Sequence, residues 1–493
     1  MPDRAPNLGQ RLLRRKPIEM FLAQSQAHGQ GGELRRSITL FQLSMFGVGA
    51  TIGTGIFFVL AEQVPVAGPA VLFAFLIAGF AAGLTALCYA EMSSMIPVSG
   101  SSYSYAYATL GEGLAFFVAA CLVMEYGVSA GAVAVGWSEY LHNLLLITTG
   151  YELPRALLHA PLVAEGYSLK LGGEGYINLP AAILVGMCCV LLVRGSRESA
   201  RANAIMVIIK LAVLALFIAI ALTAFRAENF TPFAPHGFAG VSAAAGSIFF
   251  TFVGLDAVST AGEEVENPRR NLPLAIILAL IIVVSFYLLV TLAALGAQPQ
   301  DAFEGQEAGL SVILQNVTGS TIPSAILSAG AVISVFSVTL VVLYGQTRVL
   351  FAMSRDGMLP PIFSRVNPHT LTPTANTIIV GCVVAAIAAF LPSAVLWDLT
   401  SMGTLVAFTV VSAGVIILRY RRPDAPRGFK VPFFPVLPIL SIISCLYLIS
   451  SLSLIVFKLT AIWAILAGIM YIFYSSRNSI LEPGSAANPD AAE

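Results

Sequence analysis

The stretch GVGATIGTGIF, residues 47–57, sits inside an apolar run that opens at residue 38. Gly47, Gly49, Gly53 and Gly55 crowd together here, and each glycine in a helix interior costs about 1 kcal/mol relative to alanine. A helix through this segment is easy to unwind at its centre. Gly49 and Gly53 also have the spacing that lets two helices pack closely in a bilayer, so the segment alone divides evenly between a break and a packing seam. A second interruption lies far downstream in FFTFVGLDAVSTAGEE, residues 249–264, around Gly254.

The surrounding chain makes the bilayer its solvent. Its 493 residues are 57% hydrophobic and only 11% charged, whereas soluble proteins are charged at about a quarter of their residues. A helix needs about 17–25 apolar residues to cross roughly 30 Å of hydrocarbon. Twelve such stretches are read at 38–63, 68–95, 113–143, 177–194, 200–224, 240–264, 273–296, 324–351, 375–391, 395–418, 435–456 and 460–475. The expected fold class is an all-α integral membrane protein of about 12 transmembrane helices. Cytoplasmic loops of such proteins are rich in Lys and Arg. Placing the N-terminus inside puts 21 of the 26 basic residues there, from Arg4 and Arg35 through Arg269, Arg348 and Arg355 to Arg477, with Arg155, Lys170, Arg226 and Lys458 outside and Lys210 within a span.

The domain reading follows. Residues 1–37 form a cytoplasmic tail, 38–476 a single membrane domain, and 477–493 a disordered cytoplasmic tail, polar and Pro-, Gly- and Ala-rich. The segments at 144–176 and 298–323 are expected as external loops. The interrupted spans are the first and the sixth, each opening a five-helix set, 38–224 and 240–418; five being odd, the sets have opposite orientation. This is a 5+5 inverted repeat with broken helices 1 and 6, and the helices at 435–475 are peripheral. Matched interruptions in inverted halves are a sequence sign of a transporter's midplane site.

Other classes find little support. Zero net charge and no basic block interleaved with aromatics argue against nucleic acid. Cys88, Cys121, Cys188, Cys189, Cys382 and Cys445 lie in apolar runs without metal-ligand spacing, so they are expected to pack as small apolar residues. Residues 1–37 carry no short apolar h-region with a cleavage site, which leaves the first span as the insertion signal. No nucleophile elbow or paired catalytic carboxylates point to an enzyme, and no cofactor or metal is expected.

Unwound backbone survives at membrane depth only where it lines a cavity or a ligand satisfies it. The N–H groups of Gly53, Thr54 and Gly55, next to Ile52, open a second half-helix whose positive end suits a carboxylate. Carbonyls freed over Phe250, Thr251, Phe252, Val253 and Gly254 can accept an ammonium. Three ionisable residues, Glu125, Lys210 and Asp256, fall inside spans, where each costs at least about 2.5–3.5 kcal/mol at the centre and marks function by default. Lys210, about 15 Å into its span, is expected to exchange a proton during transport or to form a static pair with Glu125 or another carboxylate. Glu125 either pairs with Lys210 or receives a cationic substrate side chain; Asp256 either faces the ligand or caps the second half of helix 6. Glu263 and Glu264 are expected to brace an inner gate with Arg269, Arg348 or Arg355.

Taken together, GVGATIGTGIF, VSGSSYSYAYATLGE (98–112), FFTFVGLDAVSTAGEEVENPRRNLP (249–273), RVLFAMSRDGMLP (348–360), SMGTLVAF (401–408) and ILRYRRPDAPRGFKVPFFP (417–435) resemble the amino acid-polyamine-organocation superfamily, specifically bacterial members similar to cationic amino acid transporters. The resemblance covers nearly all the chain outside its tails. It implies alternating access around helices 1 and 6, with Thr54 and Gly55 on the substrate carboxylate and helix 6 carbonyls on its ammonium. It implies that Lys210 occupies the place of a sodium ion, favouring protons, and that Glu125 and Asp256 match acidic positions facing the pocket in relatives that take cationic substrates. One departure is SGSSY (99–103), where many relatives carry two adjacent glycines.

The expected function is a secondary active transporter of the inner (plasma) membrane, both termini cytoplasmic, importing cationic or small neutral L-amino acids with protons. An exchanger and a non-transporting amino acid sensor are the alternatives, and the sequence leaves a small single-helix accessory subunit open.

Overall fold

A computed structural model describes residues 7–27, 36–53, 55–165, 168–173, 175–304, 306, 309–450, 452 and 454–482. Arg4, Arg35, Thr54 and the tail over 483–493 lie outside the described residues. The described chain is nearly all helix, as lipid demands of a segment that must satisfy its own backbone. Among the described residues, eight helical segments are long and apolar enough to cross a membrane, and three shorter apolar helices, Leu179–Arg194, Thr374–Phe390 and Val436–Ser450, accompany them.

Two short helices, α1 (Leu8–Leu13) and α2 (Ile18–Ala27), precede the first apolar segment. That segment begins at a capping box in which Thr39 and Gln42 satisfy one another's backbone N–H groups at 3.1 and 3.3 Å. It runs as α3 (Leu40–Thr51), a π-helical turn at Gly55–Val59, and α4 (Leu60–Ala67). Next come α5 (Val71–Met95), α6 (Ser101–Thr109) and α7 (Glu112–Thr149), which ends on Gly150 at φ +70°. A hairpin of β1 (Leu162–Glu165) and β2 (Ser168–Leu171) leads to α8 (Leu179–Arg194), capped by Asn178, and α9 (Ser196–Ala221).

The second interrupted segment is α10 (Gly237–Phe249), a 3-10 turn over Phe250–Phe252, and α11 (Ala257–Thr260). Then follow α12 (Pro268–Ala297), α13 (Gly309–Thr318), α14 (Thr321–Arg355), α15 (Thr374–Phe390), α16 (Ser393–Arg421), α17 (Val436–Ser450) and α18 (Leu454–Met470).

Large apolar side chains face outward, and charged and polar ones are buried among the apolar core. Phe80, Ile205, Ile281, Ile465 and Phe473 are exposed, while Tyr103, Tyr107, Glu112, Glu125, Lys210 and Arg348 are buried. Helix α7 is the buried axis, packed on α14 and α16; α12 lies on α5 and α3. Helix α18 is mostly exposed.

Three regions are more ordered than composition suggests. Residues 298–323, expected as a loop, contain α13, whose Leu310, Ile313 and Leu314 recur at helical spacing and are buried. In the segment expected as an N-terminal tail, α1 and α2 pack onto the fold, and Lys16 is buried against Asp356. Residues 477–482, assigned to a disordered tail, correct that boundary: Ser479 and Ile480 are buried, and Glu482 pairs with Arg11 and Arg14. Polar composition concealed the order of the two terminal segments because their charges are met by one another rather than by water.

Candidate functional site

The two interruptions meet at the centre of the molecule. Helix α3 stops because Ile52 turns to an extended ψ of 98°, and the chain resumes helical geometry at Gly55. On the other side Val253 is extended at ψ 143° and Gly254 adopts φ +96°, a region side chains rarely reach. The breaks touch: a Cβ on Gly55 would lie 2.6 Å from Thr251 Cγ2, and one on Gly254 would lie 3.1 Å from the Ala50 carbonyl oxygen. Only glycine permits this approach at Gly55. Between them is a hollow of about 10 Å³, lined by Gly53, Gly55, Ser129, Phe250, Thr251 and Val338 among others, which is room for about one water molecule.

The exposed peptide groups are partly taken up by two buried side chains. Lys210, on α9, donates to the carbonyl oxygens of Gly49 at 3.1 Å and of Ile52. It pairs with no carboxylate among the described residues, which corrects the Glu125 ion-pair alternative; its charge instead meets the negative end of α3. Tyr287, on α12, places its hydroxyl 2.7 Å from the Thr51 carbonyl and 2.8 Å from that of Thr251, so one group spans both breaks.

The carboxyl groups stand beside this centre. Asp256 accepts from the Tyr126 hydroxyl, and its other oxygen has no partner among the described residues. Asp256 occupies the N-cap position of α11 but makes no side-chain cap bond, so the capping alternative lacks its hydrogen bond. Glu125, one turn before Ser129 on α7, is fully buried with no hydrogen-bond partner on either oxygen among the described residues. Gly403 leaves it space, since a Cβ there would come within 3.0 Å of the Glu125 Cβ.

Thus Gly53, Gly55, Phe250 and Val253 line one hollow. Phe250 stacks edge-on against Trp397 at 4.6 Å, whereas Phe252 turns away onto Tyr287 at 5.3 Å and acts as packing. Thr54 lies outside the described residues. Sequence reading missed Tyr287, Tyr126, Ser129 and Val338. A lone tyrosine in the aliphatic run 273–296 was the available signal for the first.

The glutamates at the arginine-rich face each hold an arginine, although one Glu264 oxygen has no hydrogen-bond partner among the described residues. Arg355 grips Glu263 with two bonds of 2.9 and 3.0 Å, and the Ser99 N–H donates to the same carboxylate at 3.2 Å. Arg348 and the Tyr344 hydroxyl both donate to Glu264 at 2.7 Å. Arg269 is not part of this brace. Ser101, in the departing SGSSY stretch, sits at φ +48° beside Ser259, whose hydroxyl donates to it at 2.8 Å.

A polytopic helical membrane protein with two broken helices meeting at its centre is the class that this fold and site define. The profile of the family described as "Amino acid permease" matches residues 38–474, and the chain belongs to that family. It is 41% identical to the methylthioribose transporter of Bacillus subtilis (strain 168) and 40% identical to the branched-chain amino acid permease BcaP of the same organism, each over 95% of this chain and 99% of the relative. It is 37% identical to the vacuolar cationic amino acid transporter 2 of Arabidopsis thaliana, over 84% of this chain and 64% of the relative.

Proposed function

We propose that this chain imports small amino acids by alternating access between its two broken helices, driven by protons. The observation that carries the reading is the direct apposition of the breaks at Gly55 and Thr251, with peptide groups and hydroxyls around a closed hollow. A substrate carboxylate would meet the N–H groups from Gly53 to Gly55, and its ammonium the carbonyls from Phe250 to Val253. The Val133, Val253 and Val338 walls favour an aliphatic side chain over a cationic one, consistent with the relative named for branched-chain substrates. Glu125 and Asp256 lie next to it, so a cation on the substrate or a proton would answer their unpaired oxygens.

Lys210 is the coupling residue in this reading. Its ammonium acts as a counter-charge to the end of α3 and holds the break in one geometry. Losing the proton weakens that hold and allows the half-helix to swing. The reading includes twelve spans, counted by dividing Leu40–Met95 at its turn near Gly68 and adding the three shorter apolar helices, in two inverted sets of five with α17 and α18 outside them. It also places both termini in the cytoplasm and the protein in the plasma membrane, with Glu263–Arg355 and Glu264–Arg348 closing the inner side.

A second reading comes from the relative named for methylthioribose, a neutral sugar thioether without carboxylate or ammonium. Purified protein screened by thermal shift against the twenty amino acids and methylthioribose separates the two, since ligand binding raises apparent stability. Stabilisation by small aliphatic amino acids, with proton-gradient-driven uptake in vesicles, is the expected result. Stabilisation by methylthioribose alone would overturn it.

A further inference from the structure

Most charged groups on the arginine-rich face are held in pairs, but one cavity there is not neutralised. Arg269, Arg421 and Arg422 line a space of about 500 Å³ at the junction of α2, the end of α5, the start of α12 and the end of α16. We propose that this cavity binds the phosphate headgroup of an anionic phospholipid from the adjoining leaflet.

The neighbouring charges show which arginines are available. Arg419 and Arg427 are committed to Glu91, at 2.6 and 3.1 Å, and fix the loop between α16 and α17. Arg269 makes no ion pair among the described residues, and Arg421 donates only to the Thr109 carbonyl at 3.4 Å. Arg422 meets Glu19 at 3.3 Å, but that pair is more than half exposed, where water and salt leave little attraction. Asp424 is the remaining carboxylate of the lining. Arg15 adds to the crowding: partial burial first, then the nearby Arg421 charge, lowers its pKa. Positive charge therefore exceeds negative around an open space, an arrangement suited to a phosphate.

The arginines are gathered by structure. A Cβ on Gly428 would lie 2.3 Å from the Arg269 carbonyl oxygen, so the loop is pressed onto the first turn of α12 at a position only glycine can fill. Phe429 N–H donates to Ser94 at 3.2 Å and clamps the same loop to α5.

The depth points to a lipid rather than a soluble anion. Tyr420, adjacent in sequence to Arg421, is exposed and packs on Phe434 at 5.7 Å, and Phe433 is 81% exposed. Exposed aromatics flanking arginines mark the headgroup level, and basic pockets between helices at that level suit anionic headgroups. A lipid held there by its own chains is presented at high effective concentration.

The test compares the purified full chain with Arg269→Gln/Arg422→Gln and with a control pair, Arg194→Gln/Arg365→Gln, which removes equal charge elsewhere on the basic face. Lipid retention is read by native mass spectrometry after exchange into phosphatidylglycerol, cardiolipin or phosphatidylcholine. Wild type should retain the anionic lipids over phosphatidylcholine, and the site variant should lose retention by about fivefold per charge removed; the control should match wild type. Equal retention of phosphatidylcholine, or equal loss in the control, overturns the proposal. So does competition by millimolar inorganic phosphate as strong as that by lipid, which would make the site one for soluble anions. Should the site variant fail to fold, headgroup selectivity and phosphate competition on the wild type decide alone.

Discussion

The centre of the molecule and its arginine-rich face both bury charge, but they treat it differently. At the face Glu263 and Glu264 have guanidinium partners, and Glu91 and Glu112 are likewise held by arginines. At the centre Lys210 donates only to carbonyl oxygens, Glu125 has no hydrogen-bond partner among the described residues, and Asp256 accepts from one tyrosine. A buried ion pair fixes a geometry and is hard to open without loss. A buried charge bound to dipoles alone can be discharged by a proton. In the proposed reading the face is held or released as a unit, while the centre changes its protonation.

This contrast can be broken by mutation. Lys210→Ala should abolish proton-driven uptake in reconstituted vesicles while the protein remains monodisperse; uptake at the wild-type rate would remove the distinction. Arg355→Gln should act oppositely, leaving the central site intact but destabilising the fold by about 3–5 kcal/mol, because it removes the guanidinium partner of the buried Glu263 carboxylate. Thermal unfolding reads that loss, and the double variant Arg355→Gln/Glu263→Gln should recover part of it. Tyr287→Phe should be milder, about 1–3 kcal/mol, since it leaves the Thr51 and Thr251 carbonyls without their shared donor. Glu19→Gln, on the exposed rim, should leave the unfolding temperature unchanged.

Much of this was legible in the sequence. Glycine at 49, 53 and 55 and at 254 located both breaks, because the penalty of glycine in a helix is local and additive. Glu125, Lys210 and Asp256 stood out because a charge in an apolar run is rare. What these residues contact was not legible. The Lys210–carbonyl bonds and the Tyr287 bridge depend on how α9 and α12 pack against the breaks, and no spacing along the chain encodes that. The order of residues 7–27 and 477–482 was hidden too, since Arg14, Glu112 and Glu482 are far apart in sequence and polar when read singly. Phe252 is adjacent to the site in sequence, and its packing on Tyr287 was equally hidden.

The most direct test is equilibrium binding of a labelled small aliphatic amino acid to three purified proteins: wild type, Gly55→Val and Gly468→Ala. A side chain at position 55 would collide with Thr251 and force the two breaks apart, whereas Gly468 has open space around it. Gly55→Val should remain folded and lose binding while Gly468→Ala binds as wild type. Undiminished binding by folded Gly55→Val would show that the ligand is not held between the two broken helices.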